Sequence, residues 1–115
     1  MVTRRIKTYT AQTGYVYEYY FVGKRPASVH AGIEYVFEAS KDRTSFFSLS
    51  VILLDAATGE WEAAHGRTLS DPEQFAAAKL RLQQAFDEGS TLQEHTPALL
   101  IDSACIEELL APLDL

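Results

Sequence analysis

The chain has 115 residues, 47% hydrophobic and 23% charged, with a formal net charge of -6. That is the size and composition of one globular domain able to build a core without a disulfide or metal staple, and it excludes a disordered or low-complexity chain. The single cysteine, Cys105, excludes an internal disulfide, the longest apolar run (residues 51–54) is far too short to span a bilayer, and residues 1–8 lack the apolar stretch of a leader, so the expected setting is the cytoplasm.

In chain order, the first half alternates with period two and is rich in aromatic and β-branched residues, the pattern of strands. Strands are predicted over residues 4–10, 15–22, 32–39 and 45–55, with a shorter fifth over 60–64. Turn signals separate them at Ala11-Gln12-Thr13-Gly14, Gly23 to Pro26, Lys41-Asp42-Arg43 and Ala57-Thr58-Gly59. The period changes at Ser70-Asp71-Pro72-Glu73. Ser70 can cap a helix, Glu73 completes a capping box, and Pro72 falls in the first turn, where a missing N–H costs little. This helix is predicted to run to about residue 88 and stop at Gly89. A short helix follows over about 103–111, ended by Pro112.

A four-residue first turn sets Lys7 opposite Glu18, Ile6 opposite Tyr19 and Thr8 opposite Tyr17. A three-residue loop at 41–43 sets Glu38 opposite Phe46 and Glu34 opposite Ser50. One sheet face then carries Tyr15, Tyr17, Tyr19, Phe21, Ile33, Tyr35, Phe37, Phe47, Leu49, Val51 and Leu53. The other mixes Val16, Tyr20, Val22, Val36, Phe46 and Ile52 with Glu18, Glu34, Glu38, Ser48 and Ser50. On the long helix Phe75, Leu82 and Phe86 lie within about 20° of one line, flanked by Ala78 and Ala85, a stripe that fits the aromatic face. The expected fold is α+β. Its two layers are an antiparallel, meander-like sheet of four to five strands and one long and one short helix packed on one face, all in a single domain over 1–115.

The charge is uneven, +3 over residues 1–50 and -9 over residues 51–115. The halves either cancel on folding or leave a basic surface for an acidic partner. A basic loop patch is a candidate: Lys24, Arg25, Lys41 and Arg43, joined by Arg4 and Arg5 if the loops meet. It carries a single-stranded nucleic-acid reading, against which the acidic outer face weighs by repelling phosphates. A second candidate is His65-Gly66-Arg67 before the Ser70 cap. There a helix N-terminus with an imidazole and a guanidinium suits a small anion or phosphorylated ligand. His65 is also suited to acid–base work, but no nucleophile can be paired with it, so no catalytic residue is assigned. His30, His65 and His95 have no ligand spacing, and no nucleotide or cofactor fingerprint occurs, so neither metal nor cofactor is expected.

Two helical residues stand out. Lys79 lies about 40° from the apolar stripe, either as a buried amine or as a stem that covers apolar surface with its ammonium at the edge. Leu80 points about 140° away and needs cover from residues 99–113 or from a partner. The leading functional expectation is a binding or assembly module, most simply a homodimer. Its interface would be the apolar part of the mixed face: Val16, Tyr20, Val22, Val36, Phe46 and Ile52. The expected partner is a second copy or another protein, and no membrane.

Overall fold

In the computed structural model, residues 5–88, 98–113 and 115 are described. Five strands form one sheet in the order β1-β2-β3-β4-β5: β1 (Lys7–Thr10), β2 (Val16–Pro26), β3 (Gly32–Ser40), β4 (Phe47–Leu54) and β5 (Leu99–Ile101). The first four make an antiparallel meander, and β5 runs parallel to β4. A parallel neighbour requires a crossover, which is supplied by α1 (Asp55–His65) and α2 (Asp71–Asp87). After β5 come α3 (Ile106–Leu110) and a 3-10 turn (Ala111–Leu113) that contains Pro112. The fold is therefore α+β, with the helices packed on a mostly antiparallel sheet.

The core forms where the alternation of the sheet meets the stripe of α2. Tyr17, Tyr19, Tyr35, Phe37, Leu49, Val51 and Leu53 are buried from the sheet side, and Ala78, Leu82, Ala85 and Phe86 from α2. Phe86 stacks on Tyr17 with centroids 4.1 Å apart and planes 8° from parallel, and burial of each such ring is worth roughly 1.5–3 kcal/mol. The α2 cap forms as its sequence dictates: Ser70 Oγ accepts from Glu73 N–H at 3.3 Å, and Glu73 Oε1 accepts from Ser70 N–H at 2.9 Å. Gly32 sits where backbones press together, since a Cβ there would lie 2.4 Å from the Leu53 carbonyl oxygen.

Several expectations are corrected. Residues 60–64 are not a strand but part of α1, and Ala57-Thr58-Gly59 is not a turn but the start of the same helix. Ala57 and Trp61, one helical turn apart, are buried together, and Gly66 closes the helix in the left-handed region at φ 66°. The fifth strand is instead β5. In the first hairpin Thr10 pairs with Val16, so the loop has five residues and includes Tyr15. Lys7 consequently faces Tyr19 and Thr8 faces Glu18. That one-residue shift moves Tyr9 to the core face and leaves Tyr15 57% exposed. In the third hairpin Glu38 pairs with Ser48 and Glu34 with Ile52. This shift of two preserves every face.

The strand predicted over 15–22 continues to Pro26 through a bulge between Phe21 and Gly23. The extra residue, Val22, reverses the alternation beyond it. The short helix is trimmed to Ile106–Leu110. Gly89, the predicted helix stop, lies outside the described residues, as do Arg4 and His95.

Candidate functional site

Around the start of α2, the three residues expected to bind an anion are each engaged within the chain. His65 Nε2 lies 2.8 Å from Glu107 Oε1, and its ring stacks on Trp61 at 4.1 Å. Arg67 holds Glu73 in a two-pronged pair at 2.6 and 3.2 Å, donates to the Thr68 carbonyl oxygen and sits 5.4 Å above the Trp61 ring. Ser70 is spent on the cap. The Arg67 guanidinium, and after it the Ser70 backbone, hold Glu73 down to about 2. The arrangement closes the α1–α2 corner: His65 and Arg67 cover the buried Trp61, and Glu62 accepts the Leu69 N–H at 2.8 Å.

The basic residues do not converge. Lys24 and Arg25 lie on β2 beside the start of β3, whereas Lys41 and Arg43 follow the end of β3. Six residues separate Glu34, the neighbour of Arg25, from Ser40, about 20 Å at roughly 3.3 Å per residue. The bulge turns Arg25 to the outer face, where its Nε lies 2.9 Å from Glu34 Oε1. Lys41 Nζ lies 5.0 Å above the Tyr15 ring. Arg43 adopts φ 68° in a loop organised by Asp42, which accepts from the Thr44 and Ser45 N–H groups and the Ser40 hydroxyl.

Among the described residues no element is layered on the outer face, because the helices join one core cluster on the opposite side. Val16, Tyr20, Val36 and Phe46 are half-buried there, and Val22 is 45% exposed on the bulge. Tyr20 and Phe46 touch with centroids 5.7 Å apart. Ile52 is already buried, opposite Leu100 of β5. A polar ladder crosses the same face: Ser50 donates to Glu34 at 2.6 Å, and the Ser48 hydroxyl donates to Glu38.

A second feature escaped the sequence reading. Between α2 and the β1–β2 side of the inner face lies a cleft of about 320 Å³, lined by Arg5, Lys7, Tyr19, Phe21, Phe37, Phe75 and Lys79. Phe37 and Tyr19 form its buried floor, and Phe21 is 39% exposed at its rim. Phe21 and Phe75 meet edge to face at 4.8 Å. Lys79, one turn after Phe75, holds its Nζ 5.9 Å from that ring. The stem of Lys79 thus runs along apolar surface with its charge at the edge, the second of the two readings of this residue. The Lys7 half of the cleft was hidden by the register of the first hairpin, since a four-residue turn puts Lys7 on the outer face.

Leu80 is half-buried and lines a cleft together with Cys105, Leu109 and Pro112 of the C-terminal segment. Burial pushes the Cys105 thiol up. Among the described residues no group of three or more His, Cys, Asp or Glu is placed to hold a metal ion, and no helix is long and apolar enough to cross a membrane. No family model, curated protein or solved structure matches the chain.

Proposed function

We propose that the protein is a binding and assembly module that pairs with a second copy of itself through the outer face of its sheet, opposite the helices. The observation that carries this reading is the one-sidedness of the fold. The helices pack on one face and leave Val16, Tyr20, Val22, Val36 and Phe46 as an apolar area on the other. Antiparallel sheets often leave one face to water, but that face is then mainly polar. Here Val16, Tyr20 and Val36 are instead interleaved with Glu18, Glu34, Glu38, Ser48 and Ser50, so the face is mixed rather than polar.

Light scattering across a dilution series tests the reading. The expected result is a particle of twice 12.8 kDa that dissociates on dilution, and a monomer for Tyr20→Glu and Val36→Glu with unchanged circular dichroism. A wild-type protein that is monomeric throughout, or a Tyr20→Glu variant that stays dimeric, overturns it.

A further inference from the structure

We propose that the cleft between α2 and the β1–β2 side of the sheet binds a small organic anion with a planar apolar body. The ring rests on Phe21, Phe37 and Phe75, and the carboxylate or phosphate is held by Lys7, Lys79 and Arg5.

The first ground is the state of the cations. The chain has 16 acidic residues against 10 basic ones, so carboxylates are not scarce. Arg25, Arg67 and Arg81 each have one, in Glu34, Glu73 and Glu88. Arg5, Lys7 and Lys79 have no ion pair among the described residues, yet they line one cleft, and no Asp or Glu lines it with them. Gathering like charges costs Coulomb energy, and an anion between them reverses the sign of that term.

The second ground is the floor. A bare inorganic anion needs no aromatic surface, and an apolar ligand needs no cations. The cleft offers both side by side, with the Phe21 and Phe75 rings open toward the charged rim. Tyr19 completes the base, and its hydroxyl accepts from Gln83 Nε2 of α2 at 3.2 Å. The cleft is at the low end of ligand cavities, which run from roughly 300 to 1,000 Å³. That size selects one ring or two fused rings.

This inference stands apart from the pairing of outer faces, because it uses the opposite face of the sheet. It is tested by isothermal titration of the full chain with four probes: 2-naphthoate, 2-naphthyl phosphate, the neutral 2-naphthalenemethanol and inorganic phosphate. At least one naphthyl anion is expected to bind, and the tighter of the two identifies the headgroup. The alcohol and inorganic phosphate should each bind at least about tenfold more weakly, the factor expected for losing a charge-assisted hydrogen bond. Lys7→Gln and Lys79→Gln should each weaken the naphthyl anion by a similar factor, with Lys24→Gln, which lies outside the cleft, as the unchanged control. Binding of the naphthyl anion should also fall with added salt. The proposal is overturned if neither naphthyl anion binds, if the alcohol or inorganic phosphate binds as tightly as they do, or if both cleft lysine variants bind like the wild type.

Discussion

Tyr9 on β1 and Asp87 at the end of α2, 78 residues apart in sequence, are joined by a 2.6 Å hydrogen bond from the phenol to the carboxylate. The other carboxylate oxygen of Asp87 accepts the Gln12 backbone N–H at 3.0 Å. A helix C-terminus is the negative end of its dipole and disfavours an acid, so the placement of Asp87 is offset by these two donors. The pair clasps the first hairpin to the helix layer. It also holds the register that puts Tyr9 and Lys7 on the inner face.

Removing the clasp has a measurable cost. Asp87→Ala deletes both acceptors and is expected to lower unfolding stability by about 1–3 kcal/mol, and Tyr9→Phe by less. The hydrogen bond to Asp87, with burial second, pushes the Tyr9 phenol up to about 12. A raised folded-state value means its contribution is complete below about pH 10 and is lost as pH rises through about 12. Urea titrations at neutral pH and above pH 10 check both points. Tyr9→Phe should narrow the alkaline loss seen in the wild type, and an unchanged loss would count against the clasp.

Gly59 distinguishes a helix over Asp55–His65 from the strand and turn that its sequence suggests. It lies inside α1, and a Cβ there meets nothing within 4 Å. Gly59→Ala is therefore expected to stabilise the protein by about 0.5–1 kcal/mol, the difference in helix propensity and unfolded-chain entropy. In a turn that needs a glycine the same change would destabilise. The urea midpoint decides between them.

The contrast between Gly59 and Ser70 shows where local signals suffice. At Ser70 the cap, the proline and the Glu73 side chain act within one turn, so the start of α2 was legible from four residues. The faces of β3 and β4 were legible too, because an error of two residues in the loop leaves side-chain parity intact. At Gly59 a helix breaker sits in a helix that is held by the burial of Ala57 and Trp61, a tertiary contact with no local mark. β5 is three residues long and parallel to a strand about fifty residues earlier, too short to show periodicity. The bulge at Val22 and the fifth loop residue, Tyr15, each change the count by one, and a single count reverses every later face. The loop count is why the cleft around Lys7 and Lys79 was not seen, whereas Arg25 was read as a loop cation because Gly23 to Pro26 carries a turn signal that β2 runs through.

Tyr35 offers a test of the core. Its ring is buried, and its hydroxyl has no hydrogen-bond partner among the described residues. Burial, and next the nearby Asp71, raise the phenol above its ordinary value. A buried donor left unmet is costly, while an apolar replacement of the same shape is neutral or better. Tyr35→Phe is expected to keep or raise stability, by up to about 1 kcal/mol. A loss of that size instead would mean that the hydroxyl is satisfied in solution.

The acid side of the stability profile should report the α1–α2 corner. Glu73 is held from its ordinary 4.5 down to about 2, first by Arg67 and then by the Ser70 backbone. A depressed folded-state value gives a contribution that is present above about pH 4.5 and is lost as pH falls through about 2. Asp42 is depressed as well, by the Ser45 and Thr44 backbone N–H groups and the Ser40 hydroxyl, so the wild-type profile alone does not isolate Glu73. The informative quantity is the difference in urea midpoint between wild type and Glu73→Gln. It should be constant above about pH 5 and shrink steadily below pH 4.5. The pair is exposed to solvent, so added salt should reduce that difference at every pH. A difference that stays flat from neutral pH down to pH 3 would show that the Arg67–Glu73 pair does not form, and the corner would then rest on Trp61 and the Glu62–Leu69 bond.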